Sequence, residues 1–371
     1  MKIGILTFWW SEDNYGQILQ CYALQKYLRD KGHDAFLIRY DPRKDYASTP
    51  LLLKLLKAFN PKKLWNFCYA KIRVFKSKQE QAKNPRNFKE FINTHIHYSE
   101  KLYTSYNELK NNPPIADAYI VGSDQVWNFH NAPLKKIKNT VNAYFLNFGD
   151  NSTKRMSYAA SWGKTSIPQE FESYIGHLLK KFDYVSIREK SGLEICNKMR
   201  VKAEWVPDPT MLLNKEIYQS LYKNSGFSKP AKSYVFFYFL GNKTETSKKT
   251  IYDWAKKRNL EVVYVTGNNN HDSYTKTYAS IEQWLFLLAH AEYVITNSYH
   301  CAVFSTIFNK KYGVLPLTGR HRGMNTRFDS LWEVFEIEQR ILGKDTFEVL
   351  DKPYRPKNKI KTPEKFEELN L

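Results

Sequence analysis

The sequence predicts an α/β fold in which two doubly wound, Rossmann-like domains face each other across a cleft. Its length of 371 residues exceeds the size of one average domain and suggests two. Short apolar runs alternate with amphipathic stretches in two successive sets of similar size, which is the pattern of βα units. Polar clusters follow the apolar runs, and the functional loops of parallel sheets lie at these carboxyl ends of strands.

The first predicted domain covers residues 1–212. Its first helix has an apolar face that includes Ile18 and Leu24, and Gly32 is expected to stop it. The predicted strands of this domain are 3–8, 35–40, 116–121, 155–160 and 184–187, and the predicted helices are 17–31, 88–93 and one that begins at residue 191.

The second predicted domain covers residues 213–345 and repeats the βα alternation. Residues 346–371 are charged and interrupted by proline, which predicts a surface extension. The predicted strands are 234–240, 262–266, 293–296 and 312–317, and the predicted helices are 247–258, 281–290, 301–308 and 327–335.

A basic insertion interrupts the first domain at about residues 50–100. Residues 51–78 contain eight lysines and arginines and no acid, interleaved with leucines and aromatic residues. This pattern predicts two amphipathic helices separated at Asn60-Pro61. Such helices suit an anionic membrane surface, and a basic face that is only solvated is the alternative.

The charge and the cysteines narrow the class of partner. The net charge is +20, which favours nucleic acid, phosphorylated substrates or an anionic membrane. No nucleic-acid-binding signature accompanies the basic residues, so we expect no nucleic-acid partner. The four cysteines form no CxxC pair, and His95 and His97 alone are too sparse to hold a metal. With no signal-peptide pattern and no spanning run, we expect a cytoplasmic protein.

Two polar clusters lie in the first domain near its predicted cleft edge. Asn14-Tyr15-Gly16-Gln17 precedes the first helix, where backbone N–H groups attract anions, although Asn14 as a simple N-cap explains it equally well. The run Gly122-Ser123-Asp124-Gln125-Val126-Trp127-Asn128 offers Asp124 as a base and Trp127 with two amides as a sugar-binding surface. The alternative is that Ser123 or Asp124 only caps a helix.

Two further clusters offer cationic groups. Arg188 follows the strand-like Ser186-Ile187 and could hold a carboxylate or phosphate with its fork, or form only a surface pair with Glu189. His300 ends the run Asn297-Ser298-Tyr299-His300, which leads from a strand into a helix. Of the nine histidines, His300 has the setting most typical of a functional site.

These clusters together resemble the polysaccharide pyruvyl transferase family. The resemblance covers about residues 2–340 and follows the order of the family's motifs. Its most specific element is the run from Gly122 to Asn128. The other elements are residues 2–7, 14–16 and 19–20, Ser157-Tyr158-Ala159-Ala160-Ser161, Ser186-Ile187-Arg188-Glu189, Asp208-Pro209-Thr210 and Asn297-Ser298-Tyr299-His300.

The resemblance implies an activity and a fold. The family transfers pyruvate from phosphoenolpyruvate to two hydroxyls of a sugar, forming a cyclic ketal during surface polysaccharide assembly, and its fold is similar to the two-domain GT-B glycosyltransferases. It needs no cofactor and no metal. The acceptor implied is a lipid-linked or nucleotide-linked saccharide, which places the protein in the cytoplasm or at the inner face of the cytoplasmic membrane.

The resemblance also assigns roles to residues. His300 is implied as the general acid and Asp124 as a base. The donor site is expected to include Arg188, Arg327, Asn297, Ser298 and Ser161, with Arg320 and Arg322 as alternatives to Arg327. The acceptor site is expected to include Asn14, Tyr15, Gly16, Gln20, Ser123, Gln125, Trp127 and Asn128. The sequence departs from the family at Cys301, where glycine is common.

Two other functions fit the same sequence. One is a GT-B glycosyltransferase that uses a nucleotide sugar, and binding of phosphoenolpyruvate separates it from the first. The other is a saccharide-binding protein without catalytic activity, which would bind the acceptor without releasing phosphate.

Overall fold

A computed structural model describes residues 1–42, 79–129, 132–241, 244–267 and 272–357, together with residues 65, 72 and 75. The side chains of residues 320 and 321 are not among those described. The two amphipathic helices predicted for 51–78 therefore lie outside the described residues, except that Trp65, Ile72 and Phe75 are helical. No helix in the described part of the chain is long and apolar enough to cross a membrane.

The first domain is built on a parallel sheet. Its strands lie in the order β2-β1-β3-β4, and bridges from Met156 to Tyr184 and from Ala160 to Ile187 add the pair β5-β6. The strands are β1 (Lys2–Leu6), β2 (Asp34–Leu37), β3 (Ala118–Val121), β4 (Lys154–Ser157), β5 (Ser186–Ile187) and β6 (Glu204–Trp205). The helices are α1 (Tyr15–Asp30), α2 (Phe88–His95), α3 (Tyr106–Asn111), α4 (Leu134–Tyr144), α5 (Gln169–Leu179) and α6 (Ser191–Lys198).

The second domain has a parallel sheet of the same kind, in the order β8-β7-β9-β10. Its strands are β7 (Tyr234–Phe239), β8 (Glu261–Thr266), β9 (Tyr293–Thr296) and β10 (Lys311–Val314). Its helices are α7 (Lys215–Ser220), α8 (Lys248–Lys257), α9 (Ile281–His290), α10 (Tyr299–Ile307) and α11 (Thr326–Val334).

The strand order places the functional edge of each sheet. The connections reverse direction between β1 and β3 in the first sheet and between β7 and β9 in the second. Ligands of doubly wound sheets bind outside the carboxyl ends of strands at such a reversal. The loops after β1, β3 and β9 are therefore the expected ligand-binding loops.

An aromatic cluster joins the two domains. The ring of Tyr15, in the first turn of α1, is fully buried and stacks on Trp284 of the second domain with centroids 5.2 Å apart. The Tyr15 hydroxyl donates a hydrogen bond to the carbonyl of Ala279 at 2.8 Å. Burying an aromatic side chain stabilises a structure by roughly 1.5–3 kcal/mol. This contact therefore fixes the start of α1 against the second domain.

Candidate active site

The N-termini of two helices from different domains meet at the carboxyl edges of the sheets. His300 lies in the first turn of α10, whose N-cap Ser298 accepts a hydrogen bond from the Cys301 N–H. Gly16 lies in the first turn of α1, and a Cβ atom placed on it would lie 2.3 Å from Cγ and Nδ1 of His300. Helix N-termini carry partial positive charge, so this junction favours an anion.

Asp208 connects the residues around this junction. It is fully buried, and its Oδ2 lies 3.1 Å from Arg188 Nη1 and 3.4 Å from His300 Nε2. Oδ2 also accepts a hydrogen bond from the Ser123 hydroxyl at 2.9 Å, and Oδ1 accepts two from Thr210. Burial by itself would raise the pKa of Asp208, but His300, Arg188 and Thr210 hold it well below its usual range. Asp208 is therefore an ionised carboxylate.

Arg188 is a buried cation with one unused donor. Its Nε donates to Glu189 at 3.0 Å, and its guanidinium lies 4.6 Å from the centre of the Tyr299 ring. Burial opposes the charged form, but Glu189 and Asp208 raise the pKa of Arg188 above its usual range. Its Nη2 is buried and has no hydrogen-bond partner among the described residues. An unmet buried donor of this kind costs about 1–3 kcal/mol, which an anion would recover.

Arg327 is a second cation on the other side of the site. Its guanidinium lies 5.9 Å from the centre of the Tyr299 ring, so this ring contacts both arginines. Burial and the neighbouring Arg188 lower the pKa of Arg327 to about 10, and its Nε also lacks a partner within the described part of the chain. Of the alternatives, Arg322 is exposed and the side chain of Arg320 is not described. Arg327 is thus the arginine that lies beside Arg188.

The other predicted donor-site residues differ in what they leave free. The Ser161 hydroxyl donates to Glu189 at 2.7 Å, and Ser298 caps α10, so both hydroxyls are engaged within the protein. Asn297 accepts from the Leu240 N–H, whereas its Nδ2 is buried without a partner among the described residues. Asn297 therefore adds a further unused donor near His300.

Part of the predicted acceptor site also lies at this edge. Asp124 has a φ of 75°, a backbone conformation that is uncommon outside glycine, and its Oδ1 accepts from the Gln125 N–H at 2.9 Å. Its charge acts on both Arg188 and Arg327. The half-buried Gln125 accepts from the Asn128 side chain at 2.7 Å, and Ser123 donates to Asp208.

Three residues predicted to bind the acceptor lie in the protein interior instead. The Trp127 ring is fully buried, stacks on Phe145 at 4.9 Å and donates its indole N–H to the Tyr144 carbonyl. Tyr15 forms the domain junction described above. Gln20 is fully buried, and its amide donates to the Thr7 hydroxyl and to the carbonyls of residues 8 and 17. All three side chains are buried and make their contacts within the protein.

Asn14 and Gly16 also have structural roles. Asn14 is the N-cap of α1 and accepts from the Gln17 N–H, which is the alternative that the sequence left open. Gly16 contacts His300 rather than open space. The sequence prediction that these two residues meet a sugar directly is therefore not supported by their contacts.

Sequence reasoning missed three residues of the site. Asp208, Glu189 and Tyr299 organise the two arginines and His300. No role was predicted for Asp208 or Tyr299, and the pair of Glu189 with Arg188, which the sequence left open as a surface pair, is buried. The only feature of the sequence that marked these three residues was their place within the motifs that carry the family resemblance. A further missed feature is the half-buried pair Trp9 and Trp10, which follows β1 at the same edge of the sheet.

No cluster of three or more histidine, cysteine or acidic side chains suited to a metal is present among the described residues. The expectation that the protein binds no metal stays a prediction.

Comparison with known proteins gives a family and a fold. A family model described as polysaccharide pyruvyl transferase matches residues 14–312. No curated protein matches the sequence significantly.

Among solved structures, the UDP-GlcNAc 2-epimerase of Methanocaldococcus jannaschii in complex with UDP-GlcNAc and UDP is 13% identical, with a TM-score of 0.55 over 100% of this chain and 98% of that chain. The enzyme of the same name from Neisseria meningitidis, bound to UDP-GlcNAc, is 9% identical, with a TM-score of 0.47 over 94% of this chain and 89% of that chain. The likeness to the first structure shows the predicted GT-B-like fold of two facing domains.

Proposed function

This chain belongs to the polysaccharide pyruvyl transferase family, and we propose that it transfers pyruvate from phosphoenolpyruvate to two hydroxyls of one sugar, forming a ketal during surface polysaccharide assembly. The observation that carries the proposal is the pair of arginines around Tyr299. Each keeps a buried donor without a partner among the described residues, and Arg188 shares the carboxylate of Asp208 with His300. Phosphoenolpyruvate has two anionic groups, a phosphate and a carboxylate, which suit two such cations.

Phosphoenolpyruvate would bind beside the junction of the two helix N-termini. Arg188 would direct its free Nη2, and Arg327 its free Nε, to the two anionic groups, with the Asn297 amide as a further donor. The bound anions would also offset the repulsion between the two arginines that lowers the pKa of Arg327. This arrangement needs neither a cofactor nor a metal.

The chemistry begins with protonation of the donor. His300 transfers a proton to the methylene carbon, which becomes a methyl group and leaves a cation at C2 that the bridging oxygen stabilises. One sugar hydroxyl attacks C2 and gives up its proton. The C2–O bond to phosphate then breaks, and the second hydroxyl closes the ketal. Of the two hydroxyl protons, one restores His300 and the other leaves with phosphate, so atoms and charge balance.

Asp124 is the proposed base for the sugar hydroxyls. It lies on the loop after β3, and its charge acts on the same two arginines that would bind the donor. With Oδ1 engaged by the Gln125 N–H, its Oδ2 would receive the hydroxyl proton. Asp124 is 9% exposed, so a carboxylate in contact with the cleft is consistent with this role.

Trp10 takes the role that the sequence assigned to Trp127. Trp10 is half-buried, packs on Phe8 with centroids 5.2 Å apart and follows β1, the strand that pairs with β3. The Gln125–Asn128 amide pair follows β3 at the same edge. An aromatic face beside paired amides suits the apolar face and the hydroxyls of a pyranose. We propose that the acceptor sugar binds here.

The acceptor would be carried by a lipid or by a nucleotide. Trp65 and Phe75 of the basic segment expose 73% and 61% of their surface, as residues that contact the anionic inner face of the cytoplasmic membrane would. A nucleotide carrier is the other proposal, since the M. jannaschii epimerase of similar fold was solved with UDP-GlcNAc. The protein would act in the cytoplasm in either case.

Phosphate release tests the proposal. The protein is incubated with phosphoenolpyruvate and a panel of lipid-linked and nucleotide-linked saccharides, and inorganic phosphate and the product mass are followed. We expect one phosphate for each ketal formed and no release without acceptor. Sugar transfer from a nucleotide sugar with no binding of phosphoenolpyruvate would establish the glycosyltransferase alternative instead. Acceptor binding without phosphate release would establish the non-catalytic one.

A further inference from the structure

We propose that Asp208 is the positioning residue of His300: it holds the imidazole through Nε2, so that Nδ1 carries the proton given to the donor. Only the identity of the proton's recipient rests on the proposed function. The orientation of the ring rests on the contacts of the two residues. No role in catalysis follows for Asp208 from its sequence motif alone.

The first argument is the geometry of the carboxylate. Asp208 Oδ1 is engaged by both the N–H and the hydroxyl of Thr210, which fixes the carboxyl group on its own loop. Oδ2 is then left to face His300 Nε2 at 3.4 Å and Arg188 Nη1 at 3.1 Å. Nε2 is buried and has no hydrogen-bond partner in the described part of the chain. The contact with Asp208 is therefore an ion pair of the protonated ring, and the buried Nε2 cannot reach the cleft to deliver a proton.

The second argument is the opposite side of the ring. Gly16 lies against the Cβ–Cγ–Nδ1 edge of His300, so closely that a methyl group at residue 16 would displace the imidazole. The ring is held between this glycine and Asp208, and a flipped ring would place a carbon against the carboxylate. One orientation is therefore strongly preferred.

The pair also crosses the domain boundary. Asp208 follows β6, the last strand of the first sheet, whereas His300 lies in α10 of the second domain. The general acid thus gains its counter-charge from the domain that also supplies Arg188. The proton donor and the donor-binding arginine share one carboxylate, which couples their positions.

Several charged and aromatic groups surround His300. Asp208 faces Nε2, Arg188 lies behind that carboxylate, and the Tyr299 ring lies 5.4 Å from the imidazole. The N-terminus of α1 lies on the Gly16 side. Asp208 is the anion closest to the ring in this set.

Asp208→Asn tests the proposal because the asparagine side chain keeps the shape of the aspartate and lacks its negative charge. We expect kcat for phosphate release to fall about 10²-fold, within the range that a general acid contributes. Asp183→Asn is the matched control, because Asp183 accepts from the Arg155 N–H at the opposite edge of the sheet. It should leave kcat unchanged.

A measurement without turnover separates this proposal from the proposed function. The histidines are labelled with ¹⁵N, and the signals of His300 are identified by their loss in His300→Ala. In the neutral wild-type ring these signals should show the hydrogen on Nε2. In Asp208→Asn the hydrogen should be distributed differently between Nε2 and Nδ1. Gly16→Ala, which leaves Asp208 in place, should also disturb these signals, and it serves if Asp208→Asn does not fold. Unchanged ring-nitrogen signals in Asp208→Asn, or in Gly16→Ala where Asp208→Asn does not fold, would overturn the proposal.

Discussion

Replacing Arg188 with lysine should weaken binding of phosphoenolpyruvate while keeping the positive charge. The guanidinium spans Glu189 at 3.0 Å and Asp208 at 3.1 Å with two of its nitrogens and leaves the third for a ligand. A lysine ammonium is a single point charge and cannot hold two carboxylates and reach a ligand in the same geometry. The substitution therefore removes the fork selectively.

Lysine is a better test than alanine. Asp208 and Glu189 are both buried, so Arg188→Ala would leave two carboxylates without their cation. Breaking a buried ion pair in this way costs about 3–5 kcal/mol of folding stability, and loss of binding would then be confused with unfolding. Lysine retains one charge and one pairing.

The magnitude follows from one lost charge-assisted hydrogen bond. Hydrogen bonds to charged groups contribute about 1.5–3 kcal/mol. At about 1.4 kcal/mol for each tenfold, the Kd of phosphoenolpyruvate should rise roughly 10- to 150-fold. Arg327→Ala should weaken binding of phosphoenolpyruvate to a similar extent, because the buried Nε of Arg327 also lacks a partner among the described residues.

Calorimetric titration of phosphoenolpyruvate measures this directly. Arg258→Lys is the matched control, since Arg258 pairs with Asp351 at the surface and lies outside the site. The control should bind the donor like wild type, and acceptor affinity should be unchanged in Arg188→Lys. Unchanged donor Kd values for both Arg188→Lys and Arg327→Ala would refute the assignment of the two arginines to the donor.

Three further predictions concern other parts of the molecule. His300→Ala should lose about 10²–10⁴-fold in kcat for phosphate release with little change in Tm, and near-wild-type turnover would contradict the role of His300 as acid. Trp10→Ala should raise the KM of the acceptor and leave the Kd of phosphoenolpyruvate unchanged; an equal effect on both would place Trp10 outside an acceptor site. In co-sedimentation the protein should bind anionic but not neutral vesicles, and the double variant Trp65→Ser, Phe75→Ser should bind more weakly. Negligible binding to both vesicle types would favour a basic segment that is only solvated.

The secondary structure could be predicted because hydrophobic periodicity reports it directly. The predicted helix 281–290 and strand 293–296 match α9 and β9. The predicted strand 312–317 is longer than β10, which ends at Val314, because apolar residues continue into the following loop. An apolar run marks burial, and burial does not require a strand.

The side chains of the candidate site were harder to predict because their burial depends on tertiary packing. Arg188 and His300 could be predicted as candidates because each follows a predicted strand end, and the structure brings both to the carboxylate of Asp208. Trp127 was assigned to the sugar because a tryptophan between amides fits a binding surface equally well when its orientation is unknown. Asp208 was marked only by its place in the motif Asp208-Pro209-Thr210, because the residues that it contacts lie far along the chain.

The basic residues of the chain fall into two groups, the arginines of the cleft and the segment 51–78, and we expect the two groups to have different functions. Arg188 and Arg327 are accompanied by Glu189 and Asp208, so the charges of the proposed donor site nearly balance. The net charge of +20 therefore lies elsewhere, and residues 51–78 alone carry eight positive charges without an acid. Exposed charges are screened by salt much more strongly than buried ones. The arginines in the cleft would recognise the donor, and the basic segment would hold the enzyme near its acceptor. Added salt should consequently weaken attachment to anionic vesicles far more than it weakens binding of phosphoenolpyruvate.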